Sequence, residues 1–213
     1  MKSVIFDLDG VIVSTDDLHY RAWKQMTDRE GIPFDRETNN LLRGVSRVAS
    51  LEIILKKSAK VYTEQQKAEL MQYKNDIYVK LLESLTSADL LPNVGALLKK
   101  LKNAGVKIAI GSSSRNTKKI LEKIGLSDAF NAVADGTEIR HSKPDPEVFL
   151  KAAEKLGEKP QDCLVVEDAA AGIQAAKAGN MTAVAIGDAK RSALADYRVG
   201  NIMEVAEIVQ KLS

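Results

Sequence analysis

Five short runs rich in apolar residues recur along this chain, and helix-like segments separate the last four of them. The runs occupy residues 3–6, 106–111, 131–135, 163–167 and 182–187. The intervening segments carry apolar residues at helical spacing and end at glycines such as Gly105, Gly157 and Gly179. Strands that alternate with helices predict right-handed βαβ units and a parallel sheet covered on both faces. We therefore expect an α/β fold with a Rossmann-like parallel sheet core.

The region from residue 15 to residue 87 interrupts this alternation. Four helix-like stretches follow one another there, at residues 19–29, 35–42, 48–57 and 63–85. The sequence thus predicts an α/β core of residues 1–14 and 88–213, with a helical cap domain of residues 15–87 inserted into it. The two crossings, near residues 13–16 and 87–92, would form a two-stranded hinge.

Composition excludes several classes of protein. The chain has 31 lysines and arginines against 29 aspartates and glutamates, so its charge gives no reason to expect nucleic acid or an anionic membrane as partner. A single cysteine, Cys163, rules out an internal disulfide and is expected to be a small buried side chain. No apolar stretch approaches a membrane span, and the apolar start is too short for a signal peptide. We expect a cytoplasmic protein and a monomer.

Acidic residues follow two of the predicted strands. Asp7 and Asp9 come after the first strand, and Glu167 and Asp168 come after the fourth. Ligands of open parallel α/β sheets bind at the carboxyl ends of the strands. Carboxylates held close together repel one another, so a proton or a cation must compensate. Oxygen ligands of this kind suit Mg²⁺, which is the cofactor we expect. Asp168 alone would be interpreted as a helix N-cap.

Two other strand ends carry complementary chemistry. The run GSSSRN, residues 111–116, offers hydroxyls and the N–H groups of a following helix, with Ser114 as the expected N-cap. The run HSKPDP places Lys143 before another helix, with Asp145 as the expected N-cap and Pro146 as its first residue.

The segments DLDGV, GSSS, KPDP and VVEDAAAGI resemble, in order and in placement, the four motifs of the haloacid dehalogenase-like superfamily of phosphotransferases. The helical insertion after the first motif resembles that superfamily's cap. Within the cap, HYRAW, GVSR and KND, together with SSSRN of the core, are similar to the β-phosphoglucomutase branch. The resemblance spans essentially the whole chain.

This resemblance implies roles for the core residues. Asp7 would be the nucleophile and Asp9 the general acid and base. Mg²⁺ would be held by Asp7, the Asp9 backbone carbonyl, Glu167 and Asp168. Ser112 and Lys143 would hold the phosphoryl group that is transferred.

The resemblance also implies a binding site for a small phosphorylated sugar between core and cap. Arg47 would grip the phosphate that is not transferred, with Arg115 and Asn116 approaching from the core. The full expected set of substrate-binding residues is His19, Trp23, Gly44, Val45, Ser46, Arg47, Ser50, Lys74, Ser113, Ser114, Arg115 and Asn116.

Three functions stay open at this point. The first is an isomerase of carbohydrate metabolism that interconverts β-D-glucose 1-phosphate and glucose 6-phosphate through an aspartyl-phosphate and a sugar bisphosphate. The second is a sugar-phosphate phosphatase on the same scaffold. The third is a non-catalytic phospho-receiver domain, against which the cap and the second acid pair argue. The chain departs from the family pattern at Ser14, Val48 and Ala49, where relatives commonly have acidic residues, and these departures bear on substrate identity.

Overall fold

A six-stranded parallel sheet forms the centre of the protein, whose computed structural model describes residues 1–212. The strands are β1 (Ser3–Phe6), β2 (Lys107–Gly111), β3 (Ala132–Ala134), β4 (Cys163–Glu167), β5 (Thr182–Ala185) and β6 (Tyr197–Arg198). Their order in the sheet is β3-β2-β1-β4-β5-β6. The first strand therefore lies between β2 and β4, with Phe6 in register with Ile110 and Val166.

Successive side chains of a strand point to opposite faces of the sheet, and in this protein both faces are buried. In β1, Val4 and Phe6 belong to one apolar cluster and Ile5 belongs to another, on the opposite face. Cys163, at the start of β4, is fully buried, and the Ser3 hydroxyl donates a hydrogen bond to its sulfur. The expected α/β fold with a Rossmann-like sheet is confirmed.

Helices cover the two faces of the sheet. They are α5 (Val94–Asn103), α6 (Thr117–Lys123), α7 (Glu147–Leu156), α8 (Ala170–Ala178) and α9 (Glu204–Lys211). The sequence patterns did not predict β6 or α9. The expected N-caps of α6 and α7 were wrong, since Asn116 and Pro146 occupy those positions. The Asp145 carboxylate nevertheless accepts a hydrogen bond from the Glu147 N–H, 2.9 Å away.

The inserted segment is helical, as predicted. It contains α1 (Asp16–Glu30), α2 (Arg36–Asn40), α3 (Arg47–Leu55) and α4 (Glu64–Leu82). Each of the last three begins at a side-chain cap: Asp35 accepts from the Thr38 N–H, Ser46 from Ala49, and Thr63 from Gln66. The segment has an apolar cluster of its own, which includes Trp23, Met26, Phe34, Leu51 and Ile54. No helix among residues 1–212 combines the length and the apolar character needed to span a bilayer.

The two chain crossings between the sheet and the inserted helices lie side by side. Val13 and Leu90 form an antiparallel bridge, and the Leu91 N–H donates to the Ile12 carbonyl at 2.9 Å. This pairing brings both crossings to the carboxyl end of β1. The division into a core of residues 1–14 and 88–213 and a cap of residues 15–87 stays a prediction.

Candidate active site

Asp7 is the first residue after β1 and lies at the carboxyl edge of the sheet. Its N–H continues the ladder by donating to the Val166 carbonyl at 3.0 Å, which fixes the backbone. Only 7% of the residue is exposed, yet the side chain reaches the large cavity at this edge. The position gives a carboxylate that is held rigidly and can still be reached by a ligand.

Lys143 is a buried cation beside Asp7. Its Nζ atom lies 2.5 Å from Asp7 Oδ1 and 2.7 Å from Glu167 Oε1, and 4.5 Å from the centre of the Phe149 ring. Burial by itself would lower the pKa of Lys143, but the charges of Asp7 and Glu167 outweigh it and raise that pKa. Lys143 is therefore a permanent positive charge beside the Asp7 carboxylate.

Glu167 and Asp168 complete an acidic cluster with Asp7. One ligand oxygen from each of the three lies within 4.8 Å of the others. Burial raises the pKa of Glu167 to about 6, while Lys143 acts in the opposite direction. Burial, and then the charges of Glu167 and Asp7, raise the pKa of Asp168 to about 8. Asp168 is not the N-cap of α8, which is Ala169, so capping does not explain its carboxylate.

The donor set of this cluster fits a hard divalent cation. Its ligands are carboxylate oxygens, and one lysine against three carboxylates leaves negative charge uncompensated. Gly10 lets the strand-end loop approach the cluster, because a Cβ there would lie 2.1 Å from Asp168 Oδ2. Gly10 also has φ +84°, a conformation that favours glycine.

Asp9 is held by the first crossing of the chain. Its Oδ1 accepts from the Thr15 N–H at 2.7 Å, and its Oδ2 accepts from the Thr15 hydroxyl at 2.8 Å. The Tyr78 hydroxyl in turn donates to the Thr15 oxygen at 2.9 Å. Burial raises the pKa of Asp9 to about 6, although the bonds from Thr15 work against it. A carboxyl group with this pKa can both give and take a proton near neutral pH.

His19, which is part-buried, and Lys74, which is buried, form a pair on the inserted helices, with 2.8 Å between His19 Nδ1 and Lys74 Nζ. His19 stacks on Tyr78, and its Nε2 lies 4.0 Å from Asp9 Oδ2. Lys74 Nζ lies 4.9 Å from the centre of the Trp23 ring. Burial lowers the pKa of both His19 and Lys74 well below the usual values, and the charge of Lys74 lowers that of His19 further.

The loop after β2 brings hydroxyls to the same edge. The Ser112 N–H donates to the Ala134 carbonyl at 3.1 Å, and its hydroxyl oxygen accepts from the Ser114 N–H at 3.1 Å. The Ser114 oxygen accepts from the Asn116 N–H at 3.2 Å. The Ser113 hydroxyl is buried without a hydrogen-bond partner among the described residues. The loop thus presents hydroxyl groups where Asp7 emerges.

Arg47 is the first residue of α3 and lies beside Arg115 of the sheet side. Burial, and then the charge of Arg115, lower the pKa of Arg47. Its guanidinium donates to Asn75 Oδ1 at 2.7 Å. Within residues 1–212, neither the Arg47 nor the Arg115 guanidinium forms a salt bridge with a carboxylate at 4.0 Å or less. Two adjacent cations without such a partner form a site suited to an anion.

One cavity of about 360 Å³ collects almost all the expected residues. Of the predicted set, Glu167 alone is absent from its lining, because it lies behind Lys143. The expected lining residues are Asp7, Asp9, His19, Trp23, Gly44, Val45, Ser46, Arg47, Ser50, Lys74, Ser112, Ser113, Ser114, Arg115, Asn116, Lys143 and Asp168. Ser14 and Val48, two of the departures from the family pattern, also line it.

Sequence reasoning missed several residues that shape this cavity. Tyr78 lies one helical turn after Lys74, a spacing that could have indicated a shared helix face. Arg43 pairs with Asp16 and with Asp188, each at 3.1 Å, and thereby joins the inserted helices to the segment after β5. The pairing of Arg43 with Asp188 cannot be predicted from a local sequence pattern, because the two residues are 145 positions apart.

Comparisons with known proteins agree with this geometry. Residues 1–180 match the sequence model of the haloacid dehalogenase-like hydrolases. A β-phosphoglucomutase of Bacillus subtilis is 48% identical over 201 residues, which cover 93% of this chain and 89% of the relative. A fructose-1-phosphate phosphatase of Escherichia coli is 32% identical, over 85% of this chain and 94% of the relative. A solved β-phosphoglucomutase from Clostridium difficile superposes with a TM-score of 0.93 at 37% identity, covering 99% and 96% of the two chains.

The chain belongs to the haloacid dehalogenase-like hydrolase family. Its resemblance to the β-phosphoglucomutase branch is likewise confirmed by the relatives from Bacillus subtilis and Clostridium difficile. The individual roles expected for the site residues are not tested by these comparisons and stay predictions.

Proposed function

We propose that this chain interconverts β-D-glucose 1-phosphate and glucose 6-phosphate as a Mg²⁺-dependent phosphotransferase. The observation that carries the proposal is the pair Arg47 and Arg115, which line the cavity with Asp7 and Lys143 but have no carboxylate partner of their own in residues 1–212. A cavity with a reactive carboxylate and a separate anion site suits a sugar with two phosphates. The name of the relative that is 48% identical supports the same activity.

In this proposal Asp7 is the nucleophile. Its carboxylate oxygen bonds to a phosphorus of the sugar bisphosphate while the bond from that phosphorus to the sugar oxygen breaks, which leaves an aspartyl-phosphate and a sugar monophosphate. A carboxylate and a phosphate repel by roughly 4 kcal/mol per pair of unit charges at 4 Å and an effective dielectric near 20. Lys143, 2.5 Å from Asp7, offsets that repulsion. Mg²⁺, when bound by Asp7, the Asp9 carbonyl, Glu167 and Asp168, would supply further stabilisation of the phosphoryl oxygens.

Asp9 moves the proton in both half-reactions. It donates a proton to the sugar oxygen that leaves and later accepts one from the sugar hydroxyl that attacks the aspartyl-phosphate. The pKa of about 6 suits this dual task. In the second half-reaction the hydroxyl oxygen of a sugar monophosphate bonds to phosphorus and the bond from phosphorus to Asp7 breaks, which forms the sugar bisphosphate and frees the carboxylate.

The inserted helices would act as a cap, with boundaries at residues 15 and 87. Closure over the aspartyl-phosphate excludes water, so that a sugar hydroxyl attacks instead. Arg47 would anchor the phosphate that is not transferred, since a guanidinium can hold a phosphate through two hydrogen bonds. We also infer a monomer in the cytoplasm, with no nucleic-acid or membrane partner.

A sugar-phosphate phosphatase is the second candidate, favoured by the relative from Escherichia coli. The variant Arg47→Ala distinguishes the isomerase from the phosphatase. The variant Arg47→Lys is its control, because lysine keeps the positive charge but cannot hold a phosphate through two hydrogen bonds. If Arg47 anchors the second phosphate, isomerisation falls by about a hundredfold or more, while hydrolysis of acetyl phosphate is nearly unchanged. Equal loss of both rates, no loss of either, or phosphate release as the main wild-type reaction on glucose 1-phosphate would contradict the isomerase proposal.

A further inference from the structure

One amide oxygen connects the two segments that line the anion site. Asn75, on α4, accepts a hydrogen bond at Oδ1 from Arg47 Nη2 at 2.7 Å and a second from Asn116 Nδ2 at 3.1 Å. Arg47 begins α3 of the inserted helices, whereas Asn116 precedes α6 on the sheet side. Arg47 and Asn116 line the cavity, and Asn75 does not.

The side chains of Arg47 and Asn116 are thereby held close together, and each keeps N–H groups that Asn75 does not use. An amide oxygen has two lone pairs and can accept two hydrogen bonds, which is the number that Asn75 Oδ1 receives here. A guanidinium carries five N–H groups and an amide nitrogen carries two. Since Asn75 accepts one hydrogen from each, both groups keep further donors for a ligand in the cavity.

The acceptor at position 75 is also uncharged. The next residue, Asp76, has a carboxylate that accepts instead from Gln72 Nε2 at 2.7 Å. Arg47 is part-buried beside Arg115, so a carboxylate at position 75 would pair strongly with it. Asparagine supplies an acceptor without adding a second negative charge to that of Asp76, which already acts on Arg47.

We propose that Asn75 is a positioning residue of the anion site. Its amide oxygen holds Arg47 and Asn116 as a convergent pair of donors, and its neutrality reserves the charge of Arg47 for the sugar phosphate that is not transferred. This inference rests on the proposed function, because it requires a phosphorylated sugar in the cavity. It assigns to Asn75 an effect on binding that is exerted through two other side chains.

Two substitutions separate position from charge. Asn75→Asp keeps an acceptor for both donors but adds a negative charge, whereas Asn75→Ala removes the acceptor. The dissociation constant of glucose 6-phosphate, measured by calorimetry on the full-length protein, should rise about tenfold or more in Asn75→Asp. In Asn75→Ala it should rise about threefold to tenfold, because Arg47 must then be ordered on binding. Asp76→Asn removes a charge that makes no salt bridge with Arg47 but does act on it, so the dissociation constant should fall, by about twofold or less.

Two further measurements test that the effect is local. The rate of acetyl phosphate hydrolysis at saturation should stay within about twofold of wild type in both Asn75 variants, while the KM for the sugar phosphate rises. In an Arg47→Ala background, Asn75→Asp should cost much less than it does alone, because the group that it neutralises is gone.

The outcomes distinguish this inference from the proposed function. If the wild type does not bind glucose 6-phosphate, both are wrong. If the wild type binds it and the Asn75 variants bind equally well, only the role of Asn75 is overturned. Tighter binding by Asn75→Ala would also overturn it, since that result would mean that the phosphate must displace the amide. If the Asn75 variants lose acetyl phosphate hydrolysis as well as sugar phosphate binding, Asn75 is required for folding and the positioning role is overturned.

Discussion

Lys74 should make the protein less stable than it would be with an apolar side chain of similar shape. Only 2% of Lys74 is exposed, and burial lowers its pKa well below the usual value of 10.5, followed in size by the charge of Arg47. Moving an ammonium group into a protein interior costs several kcal/mol even after relaxation. Substitution with methionine removes that cost and keeps most of the packing.

Contacts of the ammonium group offset part of the cost. Its Nζ lies 4.4 Å from the centre of the Tyr78 ring and 4.9 Å from that of Trp23, contacts worth together about 1–2 kcal/mol. The hydrogen bond with His19 contributes about 1.5–3 kcal/mol. These offsets are comparable to the desolvation cost, so we expect a remaining penalty of only about 1–2 kcal/mol, and Lys74→Met should raise Tm by about 2–8 °C in a chain of this length.

The pH dependence identifies the cause of this gain. A lysine whose pKa is lowered on folding binds a proton more readily in the unfolded chain, so the wild type gains stability as pH rises toward the unfolded pKa near 10.5. The advantage of Lys74→Met should therefore be larger at pH 7 than at pH 9.5. Urea unfolding at both values measures it, with the exposed Lys80→Met on the same helix as control. A Lys74→Met protein that is less stable than wild type, or a gain independent of pH, would refute the reasoning.

Three further outcomes are expected. Asp7→Asn should abolish isomerisation and hydrolysis while the far-UV spectrum stays native, and mass spectrometry should find no phosphorylated chain; a phosphoryl group on another residue would contradict the assignment. EDTA should stop turnover and Mg²⁺ should restore it, so full activity in metal-free buffer would remove the proposed metal site. Gly44→Ala should lower the rate of isomerisation relative to that of phosphate release, because Gly44 has φ +75° and an added Cβ would lie 2.9 Å from Ala169 Cβ. Adding Ala169→Gly should restore part of the loss. An unchanged ratio of the two rates in Gly44→Ala would show that closure does not require this close contact.

Local chemistry explains what could be predicted from the sequence. β1 and β4 end at the residues expected, since an apolar run stops where a carboxylate begins. The helix starts at Asp35 and Thr63 were recognisable because a capping side chain binds N–H groups only a few residues away. The acids after β1 and β4 meet because those strands are neighbours and parallel. Such features depend on the order of residues over short distances.

The parts that were not predicted depend on contacts across long stretches of chain. β6 has two residues and is defined by its partner β5, so no pattern within it marks a strand. The bonds from Thr15 to Asp9 require the turn after β1 to fold back on itself. The bond between Asn75 and Asn116 spans 41 positions of sequence and exists only when the inserted helices lie over the sheet. Motif matching could identify Asn116 and the segment KND as candidates but could not show that Asn116 bonds to Asn75.

Two of the polar contacts that join the inserted helices to the sheet side are weak. The pair of Arg43 and Asp188 is substantially exposed, with 67% of the aspartate side chain accessible. Exposed ion pairs contribute about 0–1 kcal/mol, and the neutral bond between Asn75 and Asn116 about 0.5–1.5 kcal/mol. The side of the insertion nearer the hinge is held more firmly, because Leu18, Tyr78 and Leu82 share an apolar cluster with the sheet and Glu83 pairs with Lys119 and Lys123 of α6. We therefore expect a ligand that bridges the two sides to tighten closure over the cavity. A phosphate bound by Arg47 and Asn116 would do so, because those residues belong to opposite sides. Binding of that phosphate would then also exclude water from the cavity, and the product could leave once its phosphate is released from Arg47 and Asn116.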